Sequence, residues 1–534
     1  MKYRTIIKRA AWACVAIGLL VIATVWWARS LKKDGGEPRV TGMAYTLPGG
    51  AVFGGPTPAA DGKVVGSKGT VVYLPVMPPE RSDAIHTATT AKASATLRTC
   101  FWPGPRTRLG VYTTDPDDFH TENQFSDSGT TYAWSSFQVP AQARLILKGR
   151  FPHLRHWGFV VYTPAGDVPT HSLSDVEIEA DAGSSNPFRE NVRRDVTERS
   201  YTLQIIAGDR PAKPLPNTLY TGTKSGQAVP IIMRNYVPDA GANVLGNVDW
   251  PEVEVQYEDG KVLKGQQACD ATNTELRGKQ VPVSLSQTLW LGLEHALTKD
   301  PLIAPAHDFT AEGMETFFNR IHVVTRLFLP RVAALNTDPS PKGGWFPNPA
   351  TRYGYKFLSY RLGQVYAIRG KLPVTPLTYH SDGSPARKSE MQYWSMCSNM
   401  GLATGLNIDC LYDEELEPLL DGDRHYTIVT TRLADRPSNA TDNCGVAWME
   451  FGNGDGVPGG SPDTMILVNR QTQVNPTFTH SWSNVPKPGD EAKVMGGYQP
   501  QVINLHGKAA FESLGCPVDT KKLDAMVLAA SARR

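Results

Sequence analysis

Three histidines and two carboxylates lie close together in the first half of the chain, at His153, His156, His171, Asp175 and Glu177. A histidine beside a carboxylate can act as a general base or as a metal ligand. We therefore predict that His153, His156 and Asp175 are catalytic residues. Their spacing matches no established catalytic or metal-binding motif, so packed or exposed histidines are the alternative interpretation.

A second candidate site is an acidic run between residues 409 and 423, which could hold calcium through carboxylate oxygens. We predict Asp409, Asp413 and Asp421 as its ligands, and no cofactor other than calcium is expected. The run is not an EF-hand loop. An acidic loop facing solvent is the alternative.

Tryptophans in or beside Pro- and Gly-rich segments form the third candidate, because an aromatic ring can stack on the ring of a sugar. Trp102, Trp345 and Trp448 are the predicted ligand-binding residues. The alternative is that these rings fill the ends of β-sheet domains.

The cysteines after the first thirty residues are even in number, which in an exported chain predicts disulfides. No Cys-x-x-Cys pair is present, which disfavours a zinc site. Proximity favours Cys397 with Cys410, and this leaves Cys444 with Cys516 and Cys100 with Cys269.

The amino terminus predicts a membrane anchor. Lys and Arg residues precede an uncharged run at 10–28, which ends with Trp26 and Trp27. As a helix, the run would be about 28 Å long, close to the thickness of the bilayer core. Small residues of a cleavage site are absent, so residues 1–29 are predicted to remain as a cytoplasmic tip and transmembrane helix. The body would face the periplasm or the cell exterior of a bacterium, with the anchor in its cytoplasmic membrane.

The charge balance excludes one class of partner. The chain has 54 Lys and Arg against 52 Asp and Glu, and the basic residues are scattered. A nucleic-acid-binding surface is therefore not expected. Residues 30–92 are rich in Gly, Pro, Ala and Thr and are predicted to be a linker, with one strand at 70–74.

Short apolar or alternating stretches between turn residues predict a mainly β fold. The predicted strands of the first half are 108–113, 132–139, 144–147, 157–162, 176–179, 201–206, 231–237 and 253–255. Because no long helices separate them, an antiparallel β-sandwich of jelly-roll type is expected. Helical periodicity appears only at 286–297 and 310–329. The predicted domains are a first β-sandwich at 93–270, a helical connector at 271–338 and a second β-sandwich at 339–534.

The second half repeats the first. Residues 145–152 match 366–373, residues 155–159 match 392–396, and residues 173–176 match 406–409. Three further matches keep the same order: 200–203 with 425–428, 209–211 with 435–437, and 231–234 with 467–470. This constant order predicts two related domains.

The motifs Gly149-Arg150-Phe151-Pro152, Arg155-His156-Trp157 and Leu173-Ser174-Asp175 resemble those of a family of uncharacterised exported bacterial proteins. The matching segments 369–373, 393–397 and 444–448 fit the same family. The domains are also similar, more distantly, to jelly-roll domains of bacterial proteins of unknown function. The resemblance implies the fold and an exported location, and it supplies no catalytic residues.

We therefore predict a membrane-anchored extracytoplasmic protein that is a binding or envelope-associated structural protein, with a glycan, a lipid or another envelope protein as its partner. The alternative is a hydrolase that acts on a polysaccharide or glycoconjugate, with its site between the two domains. Convergence of His156, Asp175 and a second carboxylate, or of a histidine pair, in an interdomain pocket with perturbed pKa values would favour the enzyme, whereas a shallow aromatic cleft would favour binding.

Overall fold

The computed structural model describes a chain that is mainly β. The described residues are 45–46, 52–53, 70–72, 94–96, 100–103, 125–164, 168–242, 245–272, 311–319, 322–323, 346–379, 381–400, 407–452, 454 and 463–531. The predicted anchor, the predicted strand at 108–113, the predicted helix at 286–297 and Trp345 lie outside them. Within these ranges, no helix is long and apolar enough to cross a membrane.

Four short strands precede the first domain. β1 (Tyr45–Thr46) pairs with β2 (Val52–Phe53), and β3 (Thr70–Val72) pairs with β4 (Ser94–Thr96), both antiparallel. The strand predicted at 70–74 is thus present, and it pairs locally.

The first domain contains two five-stranded sheets. Its strands are β5 (Trp102–Pro103), β6 (Thr130–Gln138), β7 (Ala143–Arg150), β8 (Leu154–Tyr162), β9 (Pro169–Ser174), β10 (Ser200–Ile206), β11 (Thr218–Tyr220), β12 (Ala228–Pro238), β13 (Glu252–Tyr257) and β14 (Val262–Lys264). One sheet has the order β5-β6-β12-β8-β9, and the other has the order β11-β10-β7-β13-β14. A helix, α1 (Gln266–Thr272), follows β14.

Both sheets contribute to one hydrophobic cluster. Alternation along β10 buries Tyr201, Leu203 and Ile205, which join Phe159 and Ile231 of the other sheet. Strand β8 is buried on both faces. One face belongs to this core, and the other contacts the second domain.

The second domain repeats this plan. Its strands are β15 (Ala311–Gly313), β16 (Glu315–Thr316), β17 (Thr351–Ser359), β18 (Tyr366–Lys371), β19 (Met391–Asn399), β20 (Asn407–Tyr412), β21 (His425–Thr431), β22 (Ala447–Glu450), β23 (Thr464–Val474) and β24 (Gln501–Asn504). The sheet orders are β16-β17-β23-β19-β20 and β15-β24-β18-β21-β22. Its helices are α2 (Asp413–Leu416), α3 (Glu491–Met495), α4 (Lys508–Glu512) and α5 (Thr520–Ser531).

The two domains correspond strand for strand from β6 to β13 and from β17 to β24, and they differ in the edge strand beside β13 or β24, which is β14 in one domain and β15 in the other. In both, a glycine of the second strand faces a tyrosine hydroxyl: a Cβ on Gly149 would lie 2.5 Å from that of Tyr201, and on Gly370 2.7 Å from that of Tyr426. Each glycine is therefore required by a close approach and not by its backbone angles. The predicted duplication is thus seen in the strand order and in these contacts.

Four sequence-based predictions differ from the structure. The sheets are not purely antiparallel, because β10 with β11 and β21 with β22 run parallel. Residues 176–179 do not form a strand, because Asp175–Glu177 forms a 3₁₀ turn. The predicted helix at 310–329 is wrong in its first part, because residues 311–313 and 315–316 form β15 and β16, which pair with β24 and β17, whereas residues 322–323 are helical. The repeat of 173–175 is 411–413 and not 406–408.

A hydrogen bond that both domains share identifies the counterpart of Asp175. The backbone N–H of Trp157 donates to the carboxylate of Asp175, at 3.0 Å, and that of Trp394 donates to Asp413, at 2.9 Å. Asp413 is thus the counterpart of Asp175.

Three disulfides join Cys100 to Cys269, Cys397 to Cys410 and Cys444 to Cys516. These are the pairs expected from the sequence. The first closes the first domain, the second links β19 to β20, and the third ties the region of α4 and α5 to the chain before β22.

Each domain sends a short segment onto the other. Phe125 and Phe346, which precede β6 and β17, both adopt left-handed backbone angles, with φ of 57° and 48°. The carbonyl of Phe346 accepts a hydrogen bond from Arg234 in β12, and that of Phe125 accepts one from Arg470 in β23. The two contacts are reciprocal, so the strained turns help to dock the domains.

A buried ion pair also joins the domains. Arg155 in β8 contacts Asp413 and Glu414 at the start of α2, and the side chains of Arg155 and Asp413 are fully buried. Burial raises the pKa of both carboxyls, which the positive charge of Arg155 opposes. Glu414 also accepts the backbone N–H of Tyr379, at 3.0 Å.

Replacement of Arg155 should therefore be costly. We expect Arg155→Met to lower the free energy of unfolding by about 3–5 kcal/mol, because two buried carboxylates lose their cation. The triple variant Arg155→Met, Asp413→Asn, Glu414→Gln should recover part of this loss. Chemical unfolding monitored by tryptophan fluorescence measures both.

Arg193→Met is the control, because it removes only an exposed ion pair with Asp195 and should leave the unfolding curve unchanged. If Arg155→Met unfolds like the wild type, the ion pair does not hold the domains together.

Candidate functional site

A cavity of about 340 Å³ lies between the two domains. The first domain supplies most of its lining, from β8, β9, β12 and the turn after β9. The second domain supplies the segment before β17 and one residue of β23. The lining residues with polar side chains are His156, Ser172, Ser174, Glu177, Arg234, Tyr236, Asn348 and Gln473. Val176 and Glu177 are exposed and mark the opening.

His156 and Asp175 meet at this cavity, as expected from the sequence. The His156 Nδ1 and an Asp175 carboxylate oxygen are 2.7 Å apart, and both residues are 2% exposed. The same oxygen accepts the backbone N–H of Trp157. The imidazole ring packs on Tyr236, with ring centroids 5.1 Å apart. No hydroxyl of the described residues hydrogen-bonds the other ring nitrogen.

Glu177 is the second carboxylate at the cavity. It accepts hydrogen bonds from the backbone N–H and from the hydroxyl of Ser174, both at 2.8 Å, and so caps the 3₁₀ turn that carries Asp175. The turn therefore positions both carboxylates, Asp175 on the histidine and Glu177 at the opening.

Arg234 provides a buried cation. Its Nη2 donates to the Tyr162 hydroxyl at 2.8 Å and to the Phe346 carbonyl at 2.7 Å. Its Nη1 is buried and has no hydrogen-bond partner among the residues that the structure describes. Arg234 forms no ion pair with any described residue, and the ionisable groups around it are tyrosines.

The corresponding place in the second domain is filled. There Tyr393 replaces His156, and its hydroxyl donates to the Asp127 carboxylate at 2.7 Å. Ser395, the counterpart of Gly158, donates to the same carboxylate at 2.5 Å. The disulfide between Cys397 and Cys410 lies where the first domain has Val160 and Ser172, the paired residues of β8 and β9. One repeat is thus open where the other is closed.

His153, the remaining predicted catalytic residue, lies elsewhere. It contacts the Nη1 of Arg199, and burial together with that positive charge lowers its pKa. His171 is buried and accepts the backbone N–H of Tyr220 at 3.2 Å. Both rings thus contact protein groups, and neither lines the cavity.

The predicted calcium ligands do not converge among the described residues. Asp413 binds Arg155, Asp421 binds Arg369 at 2.5 Å, and Asp409 accepts the backbone N–H of Glu450 at 3.2 Å. Each carboxylate thus has a different protein partner. The described ligand atoms that do cluster belong to Asp127, Cys397 and Cys410, whose sulfurs are joined in a disulfide.

The predicted tryptophans also lie apart. Trp448 in β22 is half-buried, and the guanidinium of Arg436 lies 4.7 Å from its ring centroid. Trp102 belongs to β5 of the other domain, where it pairs with Trp134. Trp448 does not line the cavity.

Sequence reasoning missed Arg234 and Asn348. Arg234 recurs as Arg470, so the repeat marked it as a residue that the fold requires. The informative signal was the pair Asp127 and Asn348, which occupy the same place before β6 and β17. The sequence repeat is recognisable only from residues 145 and 366 onward, so Asp127 and Asn348 lie outside it.

Solved structures with a similar chain course are distant. A crystal structure of an uncharacterised protein from Burkholderia cenocepacia has 11% identity and a TM-score of 0.36, covering 71% of this chain and 78% of its own. The VPA0106 protein from Vibrio parahaemolyticus has 11% identity and a TM-score of 0.31, covering 71% and 90%. No family model and no curated protein matches the chain. These neighbours are uncharacterised bacterial proteins, and they assign no activity.

The lowered pKa of His153 predicts a pH dependence of stability. A folded-state pKa below the ordinary value of about 6.5 means that the unfolded chain takes up a proton more readily. The free energy of unfolding should therefore be fully retained above pH 6.5 and should fall as the pH drops below it. Urea unfolding from pH 7.5 to pH 5 measures this slope.

In His153→Gln the fall should be shallower, and adding His171→Gln should flatten it further, because burial also lowers the pKa of His171. An unchanged slope in the double variant would contradict this assignment.

Proposed function

We propose that this protein is an extracytoplasmic binding protein of bacteria, held at the cytoplasmic membrane by residues 10–28, with its ligand in the cavity between the repeats. One observation carries the proposal: a single position of a duplicated fold is closed in one copy and open in the other. Packing alone would favour closing both, since a cavity costs stability. An open copy is therefore expected where a ligand completes the packing.

The dimensions and lining of the cavity favour a small polar ligand. Pockets for small molecules have volumes of about 300–1,000 Å³, so a volume of about 340 Å³ suits a molecule of one or two rings. Hydroxyl, amide and carboxylate side chains from both domains line it. Among a glycan, a lipid and an envelope protein, the predicted partners, this lining favours a glycan unit.

Two further features support the proposal. Three disulfides fit a body outside the cytoplasm, where thiols are oxidised. The shared hydrophobic cluster of each domain favours a β-sandwich arrangement of its two sheets. The jelly-roll resemblance stays a prediction.

Blocking the cavity tests the proposal. Ser172 lines the cavity from β9, and Ser172→Trp should fill it. Full-length protein in detergent is incubated with glycan fragments from a bacterial envelope, washed, and analysed by mass spectrometry. The wild type should retain a defined compound, and Ser172→Trp should retain at least about tenfold less.

Ser483→Trp is the matched control, because Ser483 is exposed and far from β9 in the chain, and it should bind like the wild type. Equal retention by Ser172→Trp and the wild type would exclude this cavity as the binding site.

A second candidate function is hydrolysis of a polysaccharide or glycoconjugate, which the His156–Asp175 pair at the cavity favours. A carboxylate on Nδ1 orients the ring, so that the other nitrogen can accept a proton from water. Asp175 also has a structural role. Its counterpart Asp413 accepts the equivalent hydrogen bond, from the backbone N–H of Trp394, in the repeat where Tyr393 takes the place of the histidine. The binding proposal therefore comes first.

The enzyme candidate predicts release of soluble sugar from envelope glycan, measured as new reducing ends. His156→Gln should lower kcat/KM at least about 100-fold, whereas His171→Gln, outside the cavity, should not. Release that is equal in the wild type and His156→Gln would refute a catalytic role for His156.

A further inference from the structure

The buried charge of Arg234 lacks a counter-ion among the described residues. Arg234 is 6% exposed, and its Nη1 has no partner although the residue lines the cavity. A buried guanidinium normally pairs with an anion, because removal from water is costly for an unpaired charge. The cavity is where such an anion can reach it.

The repeat shows what a completed site looks like. Arg470, the counterpart of Arg234, lies 3.7 Å from the Asp127 carboxylate. Both arginines also donate to the carbonyl of a phenylalanine of the other domain, Phe346 before β17 for Arg234 and Phe125 before β6 for Arg470. The Nη1 of Arg470 further donates to the sulfur of Cys397 at 2.9 Å, whereas Arg234 donates to the Tyr162 hydroxyl. The environment of Arg470 therefore includes a carboxylate and a sulfur that the described environment of Arg234 lacks.

Asn348 occupies the place of Asp127. The side-chain oxygens of both accept the backbone N–H two residues later, at 2.8 Å for Gly129 and 3.1 Å for Ala350. The backbone N–H groups of Asp127 and Asn348 donate to the hydroxyls of Tyr132 and Tyr353, respectively. The loop geometry is thus kept, whereas the carboxylate is replaced by an amide whose Nδ2 donates to the Tyr236 hydroxyl at 3.0 Å.

We infer that the ligand of this cavity carries a carboxylate group that pairs with Arg234, and that it is a sugar acid. This inference rests on the proposed binding function and names the class of its ligand. A carboxylate matches the group that neutralises Arg470, and it can accept two N–H groups of a guanidinium. Glu177 at the opening disfavours a second negative charge, which argues against a phosphate. Ser172 and Gln473 add groups suited to sugar hydroxyls.

Calorimetric titration of the full-length protein in detergent tests the charge. The probes are glucuronate, galacturonate and N-acetylmuramate, each compared with its neutral relative: glucose, galactose and N-acetylglucosamine. At least one acid should bind at least about tenfold more tightly than its neutral relative, because only the acid neutralises Arg234. Inorganic phosphate should not compete.

Asn348→Asp is the decisive variant. It places a carboxylate where Asp127 has one in the other repeat, and so gives Arg234 a negative partner within the protein. Binding of the acid should weaken at least about tenfold, and the unfolding midpoint should not fall. Asn191→Asp adds the same charge at an exposed position and should bind like the wild type. Arg234→Gln should also lose the preference for the acid.

The outcomes separate this inference from the proposed function. If a neutral sugar binds as tightly as its acid, and Ser172→Trp abolishes both, the cavity binds a ligand but the inferred carboxylate is wrong. If the acid binds equally to the wild type and Ser172→Trp, both are wrong. Failure of all three acids, or unchanged affinity in Asn348→Asp, also overturns the inference. Competition by phosphate would mean that the ligand group paired with Arg234 is a phosphate and not a carboxylate.

Discussion

Burial of arginines between two sheets is the constraint on which this structure depends. Strands β8, β12, β19 and β23 are covered on one side by their own core and on the other by the opposite domain. Arg155, Arg234 and Arg470 in these strands are therefore removed from water. Arg155 meets two carboxylates across the interface, and Arg470 meets a carboxylate and two carbonyls. These partners come from the other domain, so charge neutralisation and domain docking are one event.

The segments before β6 and β17 make this docking reciprocal. Phe125 and Phe346 turn the chain with left-handed backbone angles, which are costly for a residue with a side chain. The turns present their carbonyls to the arginine of the opposite domain. They also bring Asp127 against β19 and Asn348 against β12 of the opposite domain. The cavity is thus a product of the duplication, because its lining requires both copies in a fixed relation.

Much of the fold can be predicted from the sequence, because strand patterning, the repeat and the cysteines are local or self-similar signals. The first part of the helix expected at 310–329 was wrong because Met314 and Phe318 are buried as core residues beside or just after two short edge strands, and a helical period fits the same spacing. The pairing of His156 with Asp175 could be expected from two neighbouring strands. The roles of Arg234 and Asn348 could not, because the contacts that join them to the opposite domain, Arg234 with Phe346 and Asn348 with Tyr236, each span 112 residues of the chain.

The difference between the repeats carries the functional argument further than any single residue does. A duplicated domain begins with the same charge in both copies, and each charge needs the same compensation. At the second copy, the Asp127 carboxylate supplies the negative charge, and Tyr393 and Ser395 donate hydrogen bonds to that carboxylate. A disulfide occupies the remaining space. In the first copy, an asparagine and a glycine take two of those places, while the arginine is kept. Local rules of packing and charge are commonly broken at functional sites and obeyed elsewhere. The first copy keeps the cation, lacks the anion and the filler of the second copy among the described residues, and has the cavity in their place, which is why we propose a small negatively charged group there.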